Sequence, residues 1–172
     1  MDIRDEVLDQ LDFYWANWRP KLDGLTDAEY FWEPVPGCWS VRRTERGTEF
    51  DFAFPPPEPP PFTTLAWRLC HIADHVLAMR VSHHFGDGSY RIDHTDYPAS
   101  AEAALQHLDR QHRLWRDGLG GMDAPRWQQP VGPAEGPYAD RSYLALVLHL
   151  NREIFHHGAE VSLLRDLYRC ST

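Results

Sequence analysis

Cysteine is scarce in this sequence. The 172 residues include only three, Cys38, Cys70 and Cys170. An odd, widely spaced set is neither a disulfide framework nor a Cys-x-x-Cys metal site. A reducing cytoplasm is the simplest expectation. Long apolar runs are missing too. Nothing approaches about 18 uninterrupted apolar residues, so no membrane span is expected. The opening "MDIRDEVLDQ" is charged and amphipathic, without the basic start and apolar stretch of a secretory signal. Positive charge is in deficit: the formal net charge is −9 and the isoelectric point is near 5.5. That balance argues against nucleic acid or an anionic membrane as the main partner. Strand signals are few, and no internal repeat is evident.

What is plentiful is apolar surface and imidazole. Hydrophobic residues make up 42% of the chain and include seven tryptophans. That is enough for a sizeable core, and residues 1–172 fit one domain. Ten histidines make metal chemistry worth testing.

Helical periodicity organises the chain. Val7, Leu8, Leu11, Trp15 and Trp18 predict a helix over 3–19, ended by Pro20 and Gly24. Thr26 and Glu29 fit a capping box for a short helix. Residues 43–61, "RTERGTEFDFAFPPPEPPP", read as a proline-rich excursion, a hairpin with a polyproline-type exit. A second helix is predicted over 62–85, capped by Thr63 or Thr64. Ser100 caps a third, where Ala101, Leu105, Leu108, His112, Trp115 and Leu119 repeat at a/d spacing. A fourth runs from about Arg141 to Tyr168. The expected fold is therefore all-α, a four-helix bundle with long inter-helix connections.

The last helix carries "NREIFHHGAE" (151–160) inside an apolar stripe. On a wheel of about 100° per residue, Tyr143, Leu146, Leu150, Ile154, Val161, Leu164 and Tyr168 share one face. Glu153 and His157 fall in its middle, His156 and Glu160 at its margin, and Arg152 on the far side. An i, i+4 pair stands about 6 Å apart on one face, so both side chains can converge on one ion. Burying an ionised Glu is costly unless a charge compensates it. A divalent cation would do so, and so would a Glu–His⁺ ion pair. A third ligand must come from another helix. The second offers His71 and His75, one turn apart on a mixed polar and aromatic face. Three protein ligands plus water is the pattern of catalytic zinc. Asp74 and His75 are candidates to orient a ligand or shuttle a proton, and His149 is a reserve ligand. His83, His84 and His94 are expected in solvent, His112 in the core. Trp39 and Trp67 are expected to pack in the core or to wall a pocket. Cys70 lies about 100° round the helix from His71 and faces another side. Leu148 and Phe155, opposite the ligand stripe, leave a second apolar surface for another segment or subunit.

Three stretches resemble the DinB/YfiT-like family of metal-binding four-helix bundles. They are "LTDAEYFWEPVPGCWSVR" (25–42), "TTLAWRLCHIADH" (63–75) and "HLNREIFHHGAEVSLLRDLY" (149–168). The resemblance implies a divalent metal, zinc or nickel, held by His71, Glu153 and His157. The family's commoner set has a histidine where Glu153 stands. The His, Glu, His set resembles the branch of mycothiol-dependent maleylpyruvate isomerase. A carboxylate ligand leaves a bound divalent cation a net charge of about +1. The resemblance further implies a homodimer. It also implies a transferase or isomerase using a low-molecular-weight thiol such as mycothiol or bacillithiol against an electrophilic substrate. Metal coordination would lower the thiol's pKa. The alternatives are metal-dependent hydrolysis by a bound water and a non-catalytic, metal-bound small-molecule-binding or stress-response module.

Overall fold

The computed structural model describes residues 2–171, and its frame is helical. Helix α1 (Ile3–Trp18) starts at Asp2, whose carboxylate accepts from the Arg4 amide. A 3-10 turn (Arg19–Leu22) and the one-turn α2 (Asp27–Tyr30) follow. Thr26 caps α2 as its sequence predicts, through a 3.2 Å bond from the Glu29 amide to its Oγ1. The other half of the expected capping box is absent. Glu29 is buried, and its carboxylate is taken by Arg165 near the chain's far end, through bonds of 2.6 and 3.0 Å.

The second long helix runs from Leu65 to Phe85 and changes character midway. An α segment, α3 (Leu65–Cys70), passes into a π-helical segment (His71–Ala78) and then into α4 (Met79–Phe85). The Met79 amide bonds to Asp74 O, five residues back, which is the π pattern. Thr64 is the cap, accepting from the Trp67 amide. Ser100 caps α5 (Ala101–Gly120), and α6 spans Tyr143–Ser171. Ala101, Leu108, His112, Trp115 and Leu119 of the expected a/d stripe on α5 are buried.

These four rods form the bundle. The 65–85 helix packs against α5 and α6, and α1 packs on α6. Between α1 and α5, Trp15 stacks flat on His112 at 3.6 Å. Arg116–Asp12 and Arg19–Asp109 pairs flank that stack. Between α1 and α6, Gly158 allows the closest approach. A Cβ there would run into the Tyr14 hydroxyl, and the Trp18 indole donates to Gly158 O at 2.8 Å. Phe155, expected to be an open apolar surface, is covered by Tyr14 at 4.4 Å. Leu148 does stay exposed. None of the helices in residues 2–171 is long and apolar enough to cross a membrane.

The excursion does contain a hairpin. Strand β1 (Val41–Thr44) pairs antiparallel with β2 (Gly47–Phe50), Val41 opposite Phe50. Gly47 sits at φ +133°, and a Cβ there would collide with Thr95 O. Of the prolines just beyond β2, Pro55, Pro56, Pro57, Pro59 and Pro60 are exposed and Pro61 is half-buried. The hairpin is tied to the bundle where α3 begins: the Thr64 amide bonds to Trp39 O at 2.9 Å. The Trp67 indole bonds to Asp51 O at 2.8 Å.

Candidate metal centre

Two helices meet at the π segment and α6, and there the structure brings His71, Glu153 and His157 together. One donor atom from each lies within 4.8 Å of the other two. His157 Nε2 is 3.3 Å from Glu153 Oε2. Two donors bound to one tetrahedral ion at about 2.1 Å stand about 3.4 Å apart, so this pair already has a suitable separation. The His71 and His157 rings are 4.6 Å apart and nearly perpendicular.

Rings rather than hydrogen bonds hold His71. It stacks on Trp67 at 5.1 Å and 10° and meets His75 edge-on. Burial, helped by the neighbouring His157 and His75 imidazoles, pushes its pKa down to about 2. At neutral pH it is therefore uncharged and keeps a lone pair for coordination. Burial also lowers His157, against the pull of Glu160. A neutral His157 has one ring proton and two carboxylates beside it. Glu160 Oε2 lies 2.7 Å from Nδ1, nearer than Glu153 lies to Nε2, so Nδ1–H donates to Glu160. That leaves an Nε2 lone pair facing the Glu153 carboxylate. Two acceptors face each other with no proton between them, an arrangement a cation relieves.

Glu153 is less buried than a core-facing position implies. Its side chain is 23% exposed, because it stands at the seam of the bundle and not on its axis. Burial raises its pKa, but the Arg152 hydrogen bond and the nearby His149 and His157 outweigh that and keep it low. The donor set is thus two neutral imidazoles and one carboxylate, chemistry that suits a divalent ion. A second group, His156, His157 and Glu160, also converges. It lies wholly on α6, reaches His157 by the nitrogen that Glu160 occupies, and includes the exposed His156.

The surrounding groups differ in part from their sequence readings. Arg68 bridges Glu160 at 3.0 Å and approaches His157 Nδ1 at 3.1 Å. Spacing put Glu160 only at the margin of the stripe and did not single out Arg68, since their meeting depends on how two helices pack. His149 partners Glu153 at 3.5 Å and is not among the converging donors. His75 donates from Nε2 to Tyr97 Oη at 2.9 Å, because Tyr97 gives its own proton to Ile92 O. Burial lowers the His75 pKa to about 4. Asp74 bonds to His107 on α5 at 2.9 Å, so its carboxylate serves a separate cluster. His84 is not in solvent: its side chain is 2% exposed and bonds to Glu135 and Tyr143. His94 stacks on Tyr97 at 3.9 Å. Cys70 is buried against Tyr30, and burial drives its thiol pKa far up, so it stays protonated. A cavity of about 380 Å³ is lined by Arg80, Glu135, Arg141, His149 and Arg152; His149 and Arg152 also contact Glu153, but none of the three donors lines it.

The sequence model of the DinB superfamily matches residues 10–161. The chain belongs to the DinB superfamily. The matched span contains the π segment, the hairpin and the whole Glu153–Glu160 stretch, so this DinB-superfamily chain has its converging donors inside the family's own region. No curated protein and no solved structure matches the chain.

Proposed function

We propose that this DinB-superfamily protein is a metal-dependent enzyme in which His71, Glu153 and His157 hold a divalent ion, zinc or nickel. The reaction is a transfer or isomerisation that uses a low-molecular-weight thiol. The convergence of two neutral imidazoles and one ionised carboxylate within 4.8 Å carries the reading. When bound, the ion supplies Lewis acidity and lowers the pKa of a thiol at the centre.

The chain's own residues do the rest. Glu160 holds the proton on His157 Nδ1, and Arg68 neutralises Glu160. Such partners fix a ligand's tautomer and orientation. The Trp67 ring, stacked on His71 and Phe50, shields one side from water. His75 keeps its Nε2–H on Tyr97, and burial keeps it uncharged beside His71.

Elemental analysis of the purified protein and of Glu153→Ala and His157→Ala tests the centre. The parent should carry about one equivalent of metal per chain, and both variants should lose it. Equal metal in all three would sink the site. The metal-loaded protein is then assayed with electrophiles, with and without mycothiol. Turnover that needs the thiol supports the reading. Thiol-independent turnover moves it to hydrolysis, and tight binding without turnover moves it to a binding module.

A further inference from the structure

A second polar cavity lies on the other side of the π segment, between it, α5 and the 86–99 loop. Its volume is about 490 Å³, and its lining brings the Asp74 and Asp96 carboxylates together with Arg91, Arg110, His94 and His107. Asp74 is 3% exposed, yet its Oδ2 has no hydrogen-bond partner. His94 Nε2 is also buried, and its nearest partner is Asp74 Oδ1 at 3.6 Å, beyond hydrogen-bond length. The Tyr90 hydroxyl is buried beside the Tyr97 hydroxyl and interacts with it. Buried polar atoms are normally satisfied, so the free Asp74 Oδ2 is an acceptor that a ligand's donor can satisfy.

The charges have an order. Arg110 donates from Nη2 to His107 Nδ1, and His107 Nε2–H donates to Asp74 Oδ1 at 2.9 Å. A cation and a carboxylate are therefore held at the two nitrogens of one imidazole. Arg110 is exposed and commits one of its five donors there. Arg91 adds a second guanidinium to the lining. A simple cation seated on Asp74 would face both guanidiniums. A simple anion seated on the guanidiniums would face the free Asp74 oxygen. A ligand carrying both charges meets neither penalty. We propose that this cavity binds a small zwitterion of amino-acid type, its ammonium on Asp74 Oδ2 and its carboxylate at Arg110 and Arg91. This site is independent of the metal centre and of the reaction proposed there.

Calorimetric titration of the full chain with L-alanine, L-leucine and L-glutamate tests this, with isopropylamine and L-lactate as single-charge controls. At least one amino acid should bind, and both controls should bind about tenfold more weakly or worse. Arg110→Gln, at an exposed position, should weaken amino-acid binding by about tenfold. Asp74→Asn should do the same and also remove the preference for L-alanine over L-lactate. The proposal is overturned if none of the three amino acids binds. It is equally overturned if a control binds as tightly, or if Arg110→Gln leaves the affinity unchanged.

Discussion

Replacing Glu160 with alanine should weaken the proposed metal site without removing a ligand. His157 Nδ1 has two suitors: Glu160 Oε2 at 2.7 Å and Arg68 Nη1 at 3.1 Å. With Glu160 present, Nδ1 keeps its proton and Nε2 keeps its lone pair. With Glu160 gone, the guanidinium becomes the only partner, and it can only donate. His157 would then hold its proton on Nε2, where it points at Glu153 from 3.3 Å. Metal binding must expel that proton and break that contact. Loss of such a supporting partner costs about 10- to 100-fold in metal affinity, or about 1.4–2.8 kcal/mol. Competition against a chromophoric zinc chelator measures it. The double variant Arg68→Ala/Glu160→Ala lacks the donor that enforces the wrong tautomer, so it should regain about tenfold over Glu160→Ala. Nitrogen-15 shifts of the metal-free His157 ring should report the tautomer change directly. The reasoning fails if Glu160→Ala binds zinc like the parent, or if the double variant binds no tighter than the single one.

Two stability predictions rest on other parts of the fold. Gly158→Ala drives a methyl group into Tyr14 and Trp18 and should cost about 1–3 kcal/mol by urea denaturation. Tyr14→Phe in that background should return part of it, and a Gly158→Ala protein as stable as the parent would refute the close approach. Glu135 sits at a pKa of about 2 because bonds from His84 and Arg80 outweigh the upward push of burial. A carboxyl depressed in the native state stabilises above the unfolded pKa, and that stability is lost as pH falls. The window here runs from about 4.5 down to about 2, the ordinary value and the folded one. The Glu135 side chain is only 6% exposed, so at about 1.4 kcal/mol per pH unit the gap is worth up to about 3 kcal/mol. Glu135→Gln should flatten that acid limb in urea midpoints taken against pH, and unchanged slopes would count against the pair.

The helices were legible because each carries its own signals. Thr26, Thr64 and Ser100 all accept the bonds expected of caps, and the α6 stripe is buried from Tyr143 to Leu164. Glu153 and His157 stood out because they interrupt an apolar stripe at helical spacing; His71 was one of a pair with His75 on a mixed face, singled out by the family resemblance, and the structure brings the three within reach of one another. What escaped depends on partners far away in sequence. Glu29 looks like a capping residue until Arg165 claims it across the bundle. His84 looks solvated until Glu135, from a 3-10 turn (Pro133–Tyr138), closes over it. Asp74 falls beside His71 on an ideal α wheel, but a π segment does not follow that wheel. No residue type announces such a turn.

The hairpin has a consequence beyond its size. The Trp67 indole is bonded to Asp51 just past β2, and Phe50 lies 4.9 Å from the same ring. His71 lies flat on the other end of that chain of planes. The surface hairpin is thus joined to the His71 imidazole by a continuous run of ring contacts. Changes in the exposed segment after Asp51 that shift Phe50 or Trp67 should therefore reorient the His71 ring while leaving Glu153 and His157 where they are.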